Sequence, residues 1–503
     1  MKSTIYFILF LFLNGWSNIS AGQYPKREMR GAWIATVKNI DWPSSPTETS
    51  GEQISDLVGL FDKLRAAGIN TIFFQVRTEC DALYKSSYEP WSYWLTGQQG
   101  KAPDPFYDPL AFAIEEAHAK GMELHAWINP YRAVRDTGEY INSENHVSIT
   151  HPEWILKFGN LKILNPGIPD VTDYIVKIVA DIVSRYDVDG IHFDDYFYPY
   201  IPKITDQDSA AFRIYKGKFT DIDDWRRNNI NEMISKVYRT INQINPKVIF
   251  GVSPFGIVEN KYANTNGFNS YNIIYCDPLT WIKNKTVDYV APQLYWEVGN
   301  KYADYKKLLP WWASVKDERD IYIGLNSGKM TSQDWEGDPS ELYNEIRMAR
   351  QFNNITGFIL FSAKSIAQNY SGLSDSLKNS FFKYPAFVPL MKWKNYVSPE
   401  APVNFTVEGN DSARVLKWSG PVITTDSSLN YGIYRFYNNE KIDLNNPQNI
   451  LNVLYQQTNF TDNDVIPENI HKITYVITSL NNKQVESSNY AEASIEINND
   501  RRK

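Results

Sequence analysis

Between residues 29 and 365, short β-rich runs alternate with longer amphipathic stretches, and no other feature of the chain constrains its fold as tightly. The runs cover 31–37, 71–76, 122–129, 190–194, 248–252, 289–294, 321–325 and 357–361. Helical patterns such as 55–67, 109–120, 171–185, 223–242 and 339–352 lie between them. Eight runs in this alternation predict an α/β chain, a (β/α)8 TIM barrel with parallel strands. Ala67-Gly68 and Lys120-Gly121 place a glycine after a last helical turn and directly before a strand, a helix-stop signal. A doubly wound open sheet is the runner-up, but no GxGxxG follows the first run. The segments after the second, third and fourth runs are long and rich in Trp, Tyr, Pro and Asp. In a barrel such loops build the active face, and their unequal lengths favour a groove over a closed pocket.

The texture changes at 387–402, where Pro389, Pro399 and Pro402 interrupt the pattern. Beyond them come short β-rich runs at 403–407, 413–418, 431–436, 452–458, 473–479 and 491–497, separated by Asn, Asp, Gly and Pro. This is the pattern of a small all-β sandwich. It resembles a fibronectin type III domain, with Trp418 as a core residue and Tyr475 in the penultimate strand. The expected division is a signal peptide at 1–22, a barrel at 27–385, a linker at 386–400 and the sandwich at 401–500. A tether of this kind predicts that a chain cut after about residue 399 keeps a folded barrel.

The leader reading rests on Lys2, an apolar run from Ile5 to Leu13, and small residues through Ser20, Ala21 and Gly22. That is a secretory signal layout, and the run is short of the roughly 20 residues a span needs. No cysteine stands near the cleavage region to carry a lipid anchor. The expectation is an exported protein, periplasmic or extracellular, beginning near Gln23 and without an integral membrane span.

Lys plus Arg number 51 against 58 Asp plus Glu, a net charge of −7 that argues against a nucleic-acid partner. The short basic end, Arg501, Arg502 and Lys503, reads as a solvated tail. Aromatics make up 15% of the chain, with 15 Trp and 33 Tyr. Most such rings fill cores, but their flat faces also suit the C–H faces of sugars. The two cysteines, Cys80 and Cys276, allow one disulfide without establishing it. With no CxxC or HExxH, neither a metal nor another cofactor is expected.

The fourth run is the most informative: apolar residues lead through His192 and Phe193 into Asp194 and Asp195, then into Tyr196, Phe197 and Tyr198. Adjacent carboxylates at a strand end have no packing purpose, and barrel strands end where catalytic groups sit. His192 and Asp194 share a face; Asp195 joins them only if the strand bends. Glycosidic cleavage needs one carboxyl as acid and one as nucleophile or base. Glu297, after the sixth run, is the leading second group, because Gln293, Tyr295 and Glu297 share one parity. Trp296 beside it would desolvate that carboxyl. Glu79 and Asp81, after the second run, are weaker competitors for the second group and read rather as solvated loop charge. Gln75, Arg77, Asn129 and Arg132, at the ends of the second and third runs, are candidate substrate or carboxylate ligands, and Arg77 or His192 would keep Asp194 ionised. Trp33, Trp42, Trp127, Tyr196, Tyr198, Tyr295 and Trp296 are the candidate groove aromatics.

Four motifs now carry a resemblance: Arg30 to Val37 with Asp41-Trp42-Pro43; Ile128-Asn129-Pro130-Tyr131-Arg132; Asp189 to Pro199; and Pro292-Gln293-Leu294-Tyr295-Trp296. In this order they are similar to the glycosyl hydrolase-like 10 family over about residues 27–380. The resemblance implies an exported bacterial glycoside hydrolase barrel acting on peptidoglycan glycan strands that have lost their peptides. Asp194 also stands where the alpha-amylase pattern has its nucleophile. His192, however, replaces that pattern's Arg, and the fifth run, Gly251 to Gly256, lacks its acid. The acid is therefore Glu297 or Asp195. Two rival readings stand beside hydrolysis: an inactive sugar-binding barrel, and a metal-dependent deacetylase suggested by His192 with Asp194.

Overall fold

The computed structural model describes residues 24–315, 319–331, 340–421 and 429–497. The leader 1–22, the start near Gln23, the first residue of the 339–352 helix and the basic tail 501–503 lie outside them.

All eight expected runs are strands of one closed parallel barrel: β1 (Met29–Ile34), β2 (Thr71–Arg77), β3 (Glu123–Ile128), β7 (Gly190–Phe193), β8 (Ile249–Val252), β9 (Tyr289–Val290), β10 (Asp320–Leu325) and β11 (Ile355–Leu360). Between β3 and β7 the chain forms a small antiparallel sheet of β4 (Arg132–Val134), β5 (Ile155–Phe158) and β6 (Leu161–Leu164), which strand periodicity did not reveal. The ladder of β9 is short because Pro292 has no N–H to donate. The chain still runs on beside its neighbours, with Gln293 bridging to Phe255 and to Gly324. The first helix begins at Ser50, ahead of the expected 55, because Thr49 and Glu52 close a capping box.

Alternate residues fill the barrel interior with rings. Phe73 packs edge-on to His125 and His192, each at 4.9 Å, and the Tyr289 hydroxyl bonds to Nδ1 of both histidines, at 3.1 and 2.8 Å. Glycines make the room: a Cβ on Gly251 would lie 2.0 Å from the Tyr289 ring, and one on Gly190 would lie 2.6 Å from His125.

The C-terminal part is a sandwich. One sheet holds β12 (Val403–Gly409), β13 (Arg414–Ser419) and β16 (Asn459–Asp462). The other holds β14 (Asn430–Tyr437), β15 (Ile450–Tyr455), β17 (Lys472–Leu480) and β18 (Ala491–Glu496). Trp418 lies in the core between them, 5.3 Å from Tyr431, as its position in the sequence suggested. Tyr475 is in the penultimate strand, and its hydroxyl donates to Asp462.

The segment 386–400 is not the free tether that its prolines suggested. Phe387, Val388 and Met391 are buried, and Trp393 donates to Asp288 at 2.7 Å beneath the barrel. Sandwich residues complete this seal. Lys483 pairs with Asp189 at 2.7 Å, both side chains over 90% buried, and Lys26 pairs with Glu486. Asp189 also accepts from the Leu124 N–H and binds His118. Burial opposes its charge, but Lys483 and His118 overcome this and hold the carboxyl well below its ordinary range. The two folds therefore share a packed and charged interface at the N-terminal end of the strands.

Candidate active site

At the opposite end of the barrel lies an open cavity of about 380 Å³, the size of small-molecule sites. It is built from strand ends. Trp33, Gln75 and Trp127 come from β1 to β3, Asp194 from just past β7, and Gln293 and Tyr295 from past β9. Arg132 and Tyr196 form one wall. The 42% exposed Tyr196 ring lies 4.9 Å beneath the Arg132 guanidinium.

Asp194 is almost fully buried. Its Oδ2 accepts from Trp127 Nε1 at 3.1 Å and Asn129 Nδ2 at 3.2 Å, and its Oδ1 has no partner. Burial pushes this carboxyl up to about 6, partly offset by Arg132 and the Trp127 bond. β7 ends at Phe193, and Asp195 is buried against the wall residue Tyr200 rather than lining the cavity itself. It accepts the Tyr200 hydroxyl at 2.5 Å. Burial, offset in part by Tyr200 and reinforced by the charge of Asp194, pushes Asp195 up to about 7. Burial thus raises two adjoining carboxyls, the setting in which one member of a pair can hold a proton while its neighbour is ionised.

The other candidates divide. Trp33 lines the cavity while donating to His192 Nε2 at 3.1 Å. Gln75 accepts the Thr36 and Val37 N–H groups, fixing the loop after β1. Asn129 is fully buried and holds both Asp194 and the Arg132 N–H, so it positions the site without facing the cavity. Gln293 Nε2 donates to the Ser253 carbonyl at the cavity wall, and the Tyr295 ring stacks on Phe361.

Several expectations need correction. Glu297 is not in the cleft: the chain turns after Trp296, and the carboxylate accepts from Asn300 within that turn. Trp296 packs edge-on to the wall residue Phe255 at 5.2 Å and does not itself line the cavity. Arg77 is wholly buried and forks onto Glu89 at 2.7–3.0 Å, so its charge is spent on the loop after β2. The cation beside Asp194 is Arg132. His192 lies beneath the cavity floor with both nitrogens bonded, and burial beside His125 holds it well below its ordinary value, hence neutral. It neither binds substrate nor supports the Asp194 charge. Glu79 and Asp81 are fully buried, where solvation was expected; Glu79 takes bonds from Trp94 and Tyr140. Trp42 and Tyr198 are core residues, and Asp41 braces the first loop by accepting from Ala35 and Ser362.

Tyr200, Ser253, Phe255, Asn326 and Phe361 also line the cavity. Sequence reading missed them, although each lies within a few residues of a strand end or in the aromatic run after Asp195. Cys80 and Cys276 are buried free thiols. Among the described residues no group of three or more His, Cys, Asp or Glu is placed to hold a metal ion. Among the same residues no helix is long and apolar enough to cross a membrane.

Comparison with known proteins fits this geometry. The family model "Glycosyl hydrolase-like 10" matches residues 28–339. The chain is 38% identical over 479 residues to Glycosyl hydrolase YngK of Bacillus subtilis (strain 168), covering 92% of each chain. It is 39% identical over 369 residues to Glycosyl hydrolase DigH of Escherichia coli (strain K12), covering 67% of this chain and 84% of that one. Among solved structures, the PgaB (BpsB) glycoside hydrolase domain of Bordetella bronchiseptica aligns with a TM-score of 0.47 and 13% identity, over 70% of this chain and 98% of that one. The matched family span contains all the strand ends that build the cavity up to Asn326. This chain belongs to the glycosyl hydrolase-like 10 family and is a glycoside hydrolase.

Proposed function

We propose that this chain is an exported enzyme that hydrolyses O-glycosidic bonds in a polysaccharide, and that its substrate is the peptidoglycan glycan strand freed of its peptides. The observation that carries the chemistry is the Asp194–Asp195 pair, two buried carboxyls raised to about 6 and about 7, with Asp194 lining an aromatic-walled cleft and Asp195 bonded to the wall residue Tyr200. Near neutral pH Asp194 is ionised and serves at the anomeric carbon, as nucleophile or as base for water. Asp195 keeps its proton and protonates the leaving oxygen from the side where Tyr200 and Gln293 stand. One water is consumed and the proton returns to Asp195.

Trp33, Trp127, Tyr295 and Tyr196 present ring faces or edges to the cavity, which suits pyranose C–H faces. Export is supported by the leader pattern at 1–22, and the C-terminal sandwich is read as fibronectin type III-like from its strand pattern. The test is product analysis on purified peptide-free glycan strands beside intact peptidoglycan and plant and host polysaccharides. Cleavage of the peptide-free strands, absent in Asp194→Asn, is expected. Preferential cleavage of another polysaccharide would refute the substrate.

A further inference from the structure

The cleft continues past Arg132 and Tyr196 into a second open cavity of about 340 Å³, bordered by Arg135, Leu161, Ile163, Tyr198 and Ile201. Arg132 belongs to both cavities and stands at their junction. Its guanidinium is only partly committed. Nε donates to the Thr78 carbonyl at 3.2 Å, Cζ lies 4.9 Å from the Tyr196 ring centroid, and among the described residues the Nη groups have no protein acceptor. No carboxylate among those residues lies within ion-pair distance of it. Asp194, whose Oδ2 is taken by Trp127 and Asn129, feels its charge without bonding to it. The neighbouring Arg135 is already paired with Glu139. Arg132 is 8% exposed as a residue, and its Nη groups, without a counter-ion among the described residues, are open to an incoming anion. A guanidinium fork held 4.9 Å from an aromatic ring centroid, with both Nη groups uncommitted, suits two-point binding of a carboxylate.

We propose that Arg132 is the specificity residue for an acidic sugar: a ring bearing a free carboxylate seats beside Arg132 and Tyr196 at the cavity junction, and both Nη groups grip the carboxylate. This rests on the hydrolase reading above and narrows its substrate to glycans with unblocked carboxylates. A strand whose carboxylates are amide-linked to peptide would offer Arg132 no anion, so the residue would select stripped strands.

The test compares carboxylate-bearing glycan strands with the same strands after methyl esterification. Wild type is expected to cleave the acid form with kcat/KM about 10- to 100-fold higher, chiefly through KM. In Arg132→Gln that preference should collapse toward one, and Arg132→Lys should restore part of it by charge without the fork. Arg132 also lowers the Asp194 pKa, and a role confined to that tuning would shift the acidic limb of the pH profile and depress both substrates equally. Equal loss on acid and ester strands, or a wild type indifferent to esterification, would overturn the proposal. Binding of acid and ester oligosaccharides to uncut complexes of Asp194→Asn, with and without Arg132→Gln, separates the two readings. Arg132-dependent preference for the acid form without any cleavage by wild type would sink hydrolysis of these strands and leave the recognition proposal standing.

Discussion

Replacing Asp194 with asparagine should make the protein more stable while stopping its chemistry, and the gain should depend on pH. In the folded chain burial raises this carboxyl from 3.8 to about 6. An aspartate so raised favours the native state only while it is protonated. Below about pH 4 both states are neutral at this site and the group contributes its full share. As pH rises through about 6 the unfolded chain ionises freely and the folded one pays for a buried charge, so stability falls. At 1.36 kcal/mol for each pH unit, the loss amounts to about 3 kcal/mol once the group is fully ionised. The asparagine oxygen still accepts from Trp127 and Asn129, so no donor is orphaned. Urea denaturation of wild type and Asp194→Asn should therefore coincide near about pH 4 and diverge by about 3 kcal/mol near about pH 8, the variant being the stronger. A variant that is weaker at high pH, or stronger by the same margin at every pH, would refute the claim that this carboxyl is held ionised against its environment.

Other expectations follow from the same geometry. Tyr200→Phe removes a hydrogen bond that lowers the Asp195 pKa, so the basic limb of the kcat/KM profile, near about 7 in wild type, should move upward; an unmoved or lowered limb would contradict Asp195 as the acid. Trp296→Ala should cost stability, by about 2–3 kcal/mol, and leave substrate KM within about twofold, because the ring packs on Phe255; a KM effect without a melting change would return it to the groove. Lys483→Met strips Asp189 of its sandwich cation and should destabilise the chain by about 3 kcal/mol at neutral pH, an effect fading as acid protonates Asp189. For the same reason a chain cut after residue 399 should melt well below the full protein; an unchanged barrel melting temperature would show the interface to be passive.

The barrel was legible because its signal is repeated: β runs with helical periods between them, and glycines just after helix ends such as Gly68 and Gly121. Asp194 was legible for a related reason, as a carboxylate that a strand end does not need for packing. Parity also placed Gln293 and Tyr295 correctly, but it failed at Glu297, because alternation holds only while the chain stays extended and here it turns after Trp296. Arg77 was misread since its partner Glu89 lies across a loop, and a buried pair of this kind leaves no periodic trace. His192 carried the right parity and the wrong depth: it is one layer below Asp194, where Trp33, Ser253 and Tyr289 consume its nitrogens. Depth along a barrel axis depends on strand stagger, which local sequence does not encode. The prolines of 386–400 resembled those of a tether, while Phe387, Met391 and Trp393 within the same stretch already marked it as a packing segment.

The central claim is that Asp195, paired with Asp194, supplies the proton for the leaving group. It is tested most directly by comparing Asp195→Asn and Glu297→Gln on two glycosides of one sugar, one with a poor leaving group and one with an aryl leaving group that hardly needs protonation. The account predicts that Asp195→Asn loses about 10²–10⁴-fold on the poor leaving group and far less on the aryl glycoside, while Glu297→Gln stays near wild type on both. Leaving-group dependence in Glu297→Gln, with Asp195→Asn impaired equally on both glycosides, would contradict it.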